Sequence, residues 1–140
     1  MEKIWQNSYP AGVPHTIDPD QYQSLPHLLE ESFRKNAARP FSVCMDHWMS
    51  YGQLDELSSS LGAWLQAQGL EPGARIAIML PNIPQFAVTM AAVLRAGYTC
   101  VNVNPLYTPR ELEHQLKDSG ATAIVILENF AKTLEEVIDR

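Results

Sequence analysis

Cysteine is scarce. Cys44 and Cys100 are the only two in 140 residues and lie far apart, which excludes a disulfide scaffold and a CxxC metal site. Both sit in apolar runs, where small buried thiols are common, and a reducing, cytosolic setting is the expectation. Basic residues are also few. Ten Lys and Arg face sixteen Asp and Glu, a net charge of −6 with a pI near 5.1, so the chain as a whole has no electrostatic pull toward nucleic acid. Long apolar runs are missing: the stretch from Ile83 to Leu94 is broken by Pro84, Gln85 and Thr89 and is too short to cross a bilayer. The start, Met1-Glu2-Lys3-Ile4-Trp5, lacks the basic-then-apolar layout of a secretory signal. No GxxxxGK[ST] loop, GxGxxG turn or GxSxG elbow occurs, so the common phosphate-cradling and serine-nucleophile layouts are absent.

What is present is ordinary globular composition, 46% hydrophobic and 19% charged, enough for one core. Residues 1–24 are expected to form an extended arm, because Pro10, Pro14 and Pro19 oppose helix. Ile4, Trp5, Tyr9 and Tyr22 give that arm apolar anchors. Packing across its own domain is the favoured reading, and reaching a partner chain stays open beside it. From Ser24, Leu25, Leu28, Leu29 and Phe33 recur at helical spacing until Arg39-Pro40. Phe41 to Met45 and Trp48 to Ser50 read as a hairpin across Asp46-His47. Ser50 and Gln53 have capping-box spacing, and Leu54, Leu57, Leu61, Trp64 and Leu65 predict one apolar face ending at Gly69.

The second half has a regular beat. Strands are expected at Arg75–Leu80, Thr99–Val103 and Thr122–Leu127, and helices at Ile83–Arg95, after Thr108, and at Asn129–Asp139 on Phe130, Leu134 and Ile138. This order predicts an α/β fold: an open, mainly parallel sheet with helices on both faces and right-handed crossovers. In such sheets ligands bind outside the carboxyl ends of the strands. Three loops occupy that edge: Pro81-Asn82, Asn104 to Thr108, and Glu128-Asn129. Asn82, Thr108 and Asn129 are each expected to act as N-caps, and helix amides there can hold an anion. His15, His27, His47 and His114 are scattered. Glu111 and His114 share a helix face at i, i+3, as in carboxylate metal bundles, but a solvated face with Glu113 and Lys117 is the better reading. Ser58-Ser-Ser60 reads as a small-residue packing surface. No catalytic, cofactor-binding or metal-binding residue is assigned from this pattern.

Tyr51-Gly-Gln-Leu-Asp-Glu-Leu-Ser58 resembles the "TYxELxxxS" helix start of adenylate-forming enzymes, and Gly73-Ala-Arg-Ile-Ala-Ile-Met-Leu-Pro-Asn82 is similar to their "GDRVALxLPN" strand. Leu94 to Leu116, through Asn102-Val-Asn-Pro-Leu-Tyr-Thr-Pro-Arg-Glu-Leu112, followed by Asp118-Ser-Gly-Ala121, looks very like bacterial long-chain fatty acid–CoA ligases. Trp5, Tyr9-Pro10 and Tyr22-Gln-Ser24 fit the same group. The resemblance covers essentially the whole chain. It implies residues 25–140 as an incomplete N-terminal α/β subdomain of an AMP-binding domain, behind the arm at 1–24.

The resemblance implies a two-step parent activity. A fatty acid carboxylate attacks the α-phosphate of Mg-ATP, releasing pyrophosphate, and the thiol of coenzyme A then displaces AMP. A carboxylate is a poor electrophile, and adenylation makes it a mixed anhydride with a good leaving group. The family's "YTxGTTGxxKG" phosphate loop, its "YGxTE" segment, ribose-binding aspartate and C-terminal lysine have no counterpart here. The isolated chain is therefore expected to be inactive and to hold no ATP, Mg2+ or coenzyme A tightly. The resemblance also places Asn104-Pro-Leu-Tyr-Thr108 beside the coenzyme A path. Lys132 falls near where acetyl-CoA synthetases carry basic groups for that cofactor's nucleotide phosphate, although an exposed helix lysine is the favoured reading. Dimerisation through N-terminal elements and peripheral contact with the inner face of the cell membrane are further family precedents. The alternative is a non-catalytic α/β nucleotide-binding or dimerisation module.

Overall fold

A computed structural model describes residues 3–139; Met1, Glu2 and Arg140, at the two ends of the expected arm and domain, lie outside them. The arm is not extended throughout. Ile4–Ser8 form a 3-10 turn, because Pro10 restrains only itself and Tyr9, leaving the residues before them free to coil. Of its expected anchors, Ile4, Trp5 and Tyr9 are exposed, as are Val13 and Ile17, while Tyr22 is half-buried and meets the His27 ring edge-on. Gln6 Nε2 instead donates to the His15 carbonyl at 3.2 Å, and the Tyr9 and His15 rings meet edge-on.

Helix α1 (Leu25–Asn36) begins where Ser24 Oγ accepts from the His27 amide at 3.2 Å, with Pro26 in its first turn. Phe33 is buried, while Leu25 and Leu28 face solvent. Strands β1 (Pro40–Cys44) and β2 (His47–Ser50) form an antiparallel hairpin with Val43 opposite Trp48. Its turn is Met45-Asp46, both at positive φ of 48° and 63°, one residue earlier than expected. A two-residue loop whose twist matches its strands needs left-handed backbone at both positions. Helix α2 (Tyr51–Gln66) opens on the predicted capping box: Gln53 N–H donates to Ser50 Oγ at 3.1 Å and Ser50 N–H to Gln53 Oε1 at 2.8 Å.

The buried stripe of α2 departs from the predicted leucine face. Leu54, Ser58, Gly62 and Leu65 are buried, whereas Leu57 and Trp64 are exposed. The cause is the approach of α3 (Pro84–Arg95), whose Ala91 and Ala92 are buried. A Cβ on Gly62 would lie 3.2 Å from the Ala92 carbonyl oxygen, so a larger residue is crowded at that position.

The central sheet is parallel, with β3 (Arg75–Met79) between β4 (Thr99–Asn102) and β5 (Ala123–Ile126). Alternation along β3 builds two cores. Ile76 and Ile78, with Leu80, pack with Leu65, Ala92 and Val93 on the α2/α3 side. Ala77 and Met79 face the other way, among Leu112 and Leu116 of α4 (Pro109–Ser119) and Leu134 of α5 (Ala131–Glu135). The expected last helix at Asn129–Asp139 is shorter: Glu128–Phe130 make a 3-10 turn before α5. Val137 rather than Ile138 enters the core, with Ile138 65% exposed, because the helical phase assumed for Ile138 is lost where α5 ends.

The chain runs from β3 through α3 to β4, then back across β3 through α4 to β5. That reversal makes the carboxyl ends of β3 and β5 the topological switch point.

Candidate functional site

All three loops singled out by sequence lie at the carboxyl edge of the sheet, but only one opens its helix as expected. Thr108 Oγ1 accepts from the Glu111 amide at 3.4 Å, and Glu111 Oε2 accepts from the Thr108 amide at 2.8 Å and its hydroxyl at 2.7 Å. These bonds hold the Glu111 carboxyl below its ordinary value, the Thr108 amide contributing most. The carboxylate is thus committed to capping α4 rather than turned toward a metal with His114, which is exposed.

Asn82 does not cap α3. The N-cap is Ile83, with an extended backbone (φ −119°, ψ 158°) and no side-chain cap. Pro84 at the first helical position pushes the preceding residue out of the helical region and supplies no amide needing a partner. Asn129 does not cap α5 either, since the 3-10 turn absorbs it and Phe130 becomes the N-cap.

Asn104 shapes the loop after β4. Its Oδ1 accepts from the Leu106 amide at 3.0 Å, and its carbonyl accepts from the Tyr107 amide at 3.1 Å. Tyr107 packs against the α4/α5 core while Leu106 is 81% exposed. Lys132, in α5 beyond β5, is exposed. Two strand spacings, about 10 Å, separate the carboxyl ends of β4 and β5. The loop and Lys132 both lie toward the carboxyl edge of the sheet.

Nucleophilic and metal chemistry find little here. Burial pushes the Cys100 thiol up to about 11, so it is protonated at neutral pH, and it lies 3.7 Å from the Met90 carbonyl oxygen. Among the described residues no group of three His, Cys, Asp or Glu converges on a position suited to a metal ion.

Sequence reasoning missed Arg95. Its Nη1 donates to the Asp55 carbonyl at 2.9 Å, Asp55 Oδ1 at 2.8 Å and Ser58 Oγ at 2.9 Å. Its guanidinium also lies over the Phe33 ring, 5.7 Å from the centroid, and Nε is 3.5 Å from Glu30 Oε1. The available signal was Asp55 and Ser58 at i, i+3, one side of α2 presenting two acceptors to one cation. This is architecture rather than catalysis, yet it joins the three helices on one side of the sheet.

The protein-family model described as AMP-binding enzyme matches residues 29–140, well over half of the chain. The chain belongs to the AMP-binding enzyme family. Within that family it is 53% identical over its whole length to a long-chain-fatty-acid–CoA ligase of Escherichia coli O157:H7, covering 25% of that protein. It is 45% identical to the Haemophilus influenzae enzyme of the same name over 99% of the chain, again covering 25%. The chain thus spans about a quarter of the length of these relatives and corresponds to their N-terminal portion. Among solved structures, the anthranilate CoA ligase AuaEII superposes with a TM-score of 0.79 at 19% identity, over 84% of this chain and 23% of that one. The Klebsiella oxytoca NpsA N-terminal subdomain superposes at 0.73 with 25% identity, over 80% of this chain and 29% of that one. The first shows that the fold of an adenylate-forming enzyme is shared. Among the described residues, no helix is long and apolar enough to cross a membrane.

Proposed function

We propose that this chain is the N-terminal segment of an enzyme that activates long-chain fatty acids with ATP to acyl-AMP and passes the acyl group to coenzyme A. Residues 25–140 form an α/β subdomain and 1–24 its leading arm. The observation that carries this reading is 53% identity to long-chain-fatty-acid–CoA ligases along the entire chain. Within that enzyme the segment is scaffold. No catalytic, cofactor-binding or metal residue is assigned to it, and ATP and Mg2+ are handled by parts of the parent outside the sequence described. The two-stage chemistry needs charge stabilisation around transferring phosphates, and this sequence has no phosphate loop to supply it. The Asn104–Thr108 loop, preformed by its own hydrogen bonds, borders the coenzyme A path. The parent works in the cytoplasm and meets the membrane peripherally, where its fatty acid substrate resides.

The test compares the isolated chain with a parent of ligase length, given palmitate, Mg-ATP and coenzyme A. The parent forms palmitoyl-CoA and AMP, and the isolated chain forms neither. Turnover by residues 1–140 above blank, or none by the parent, defeats the reading. In the same parent, a raised KM for coenzyme A in Lys132→Glu would add that lysine to the site, while an unchanged KM leaves it a surface residue.

A further inference from the structure

We infer that the tip of the β1–β2 hairpin, formed by Val43, Met45 and Trp48, is the surface by which the parent docks on a phospholipid bilayer, with Arg34, Lys35 and Arg39 at its base drawn to anionic headgroups. The inference rests on the reading of the parent as meeting a membrane peripherally, and it names the surface that does so.

Backbone strain marks the tip. Met45 and Asp46 hold φ of 48° and 63°, a left-handed pair that hairpin turns ordinarily fill with Asn, Asp or Gly. Asp46 fits that preference and methionine does not. Met45 also keeps 90% of its surface in water. That side chain serves neither the turn nor the core, and strain that the fold itself does not use points to a role outside it. Val43 and Trp48 stand directly opposite each other on the strands behind it, 51% and 67% exposed. The hairpin is braced from the other side, where Phe41 and Met49 pack on Phe33, Leu54 and Ala91. The apolar tip is therefore held out on a fixed base.

Charge is distributed to match. Arg34 and Lys35 end α1 and Arg39 leads into β1, so positions 34–39 carry three of the ten Lys and Arg in a chain of net charge −6. All three are exposed, and among the described residues none of them meets an acid. Strand β1 spans about 13 Å from base to turn. With the tip sunk about 5–10 Å, as apolar anchors at an interface are, the base cations stand within a Debye length (about 8 Å at physiological salt) of the headgroup phosphates. Asp46 in the turn and the net negative charge oppose deep entry, which leaves a shallow anchor.

Size and shape select a bilayer over a protein. A stable protein interface takes about 20–30 residues from each side, and the tip offers three side chains around one projecting turn. Insertion into a bilayer needs no such area. Tryptophan, with an apolar ring and one N–H, settles where hydrocarbon meets headgroup, and an unbranched methionine adapts to a fluid surface. The arm also exposes apolar residues, but Lys3 is its single Lys or Arg, against Glu2, Asp18 and Asp20, so it lacks the cationic base.

Vesicle sedimentation tests this in the parent of ligase length, with vesicles of phosphatidylcholine alone and of phosphatidylcholine mixed with phosphatidylglycerol. The parent is expected to bind the mixed vesicles more tightly. Met45→Asn should lower that partitioning about tenfold, the effect of one apolar side chain leaving the bilayer. Its melting temperature should hold or rise, because asparagine suits the turn. Arg34→Gln with Lys35→Gln and Arg39→Gln should abolish the preference for the mixed vesicles. Partitioning of Met45→Asn within about twofold of the unmodified parent overturns the proposal, as does absence of binding to either vesicle. Self-association without vesicles that Met45→Asn dissolves also overturns it, because a second copy then covers the tip. Vesicle binding indifferent to Met45 in an active ligase removes the anchor and spares the functional reading. Tip-dependent binding in a parent without ligase activity keeps the anchor and defeats that reading.

Discussion

The guanidinium of Arg95 meets the Asp55 carboxylate, the Asp55 carbonyl, Ser58 and the Phe33 ring at the end of α3. Its position suits it, since a cation in the last turn complements the helix dipole. The Ser58 residue is fully buried, and Arg95 keeps only 17% of its side chain exposed, while Asp55 and Glu30 remain 45% and 57% exposed. Water therefore screens the ion pairs, and the hydrogen bonds to Ser58 and the Asp55 carbonyl carry most of the effect. Arg95→Leu is expected to lower folding stability by about 2 kcal/mol in denaturant unfolding. A loss under about 0.5 kcal/mol, the size of an ordinary surface change, would show the cluster to be incidental. Residue identities showed that Arg95 existed, but its hydrogen-bond partners lie 37 to 40 positions away in sequence, and local pattern has no access to such distances.

Helix starts show where local chemistry suffices. Ser50 and Thr108 cap the helices that sequence assigned to them, and Ser24 caps α1 in the same way, because each bond spans three residues and needs no tertiary help. The cap at α4 is also the pH-sensitive one. Its carboxyl titrates lower in the folded protein than in an unfolded chain, so its contribution is complete above the ordinary Glu value of 4.5 and is lost as pH falls through the depressed folded value. Removing the hydroxyl in Thr108→Val should move the Glu111 titration back toward the ordinary value in an NMR titration, with α4 amides exchanging faster. An unchanged titration would mean that the cap does not hold in solution. Asn82 and Asn129 fail as caps for equally local reasons, a proline one position later than needed and a 3-10 turn. Gly120 ends α4 in left-handed backbone, φ 61°, a conformation that glycine adopts freely.

At the scale of the whole molecule, the arm stands apart. Its five large apolar side chains, from Ile4 to Ile17, face solvent, an arrangement that a chain of net charge −6 tolerates but that suits an interface better. If the arm seats on a second copy of the parent, Trp5→Ala with Tyr9→Ala should shift the parent from dimer to monomer in sedimentation without changing its far-ultraviolet spectrum. A parent that is monomeric before the change removes that role.

The sequence by itself determined the order of elements, the parallel α/β class, the Ser50 and Thr108 caps and the kinship, because periodicity, short-range capping and motif order are all written along the chain. Tertiary structure decided the rest. It placed Ser58 and Gly62 inside and left Leu57 and Trp64 outside, since the closeness of α3 rather than hydrophobicity selects that stripe. It set β3 between β4 and β5, since strand order appears only once strands pair. Scarce cysteine, few basic residues and absent phosphate loops excluded whole classes of chemistry. Only the packed fold showed which side chains Arg95 gathers.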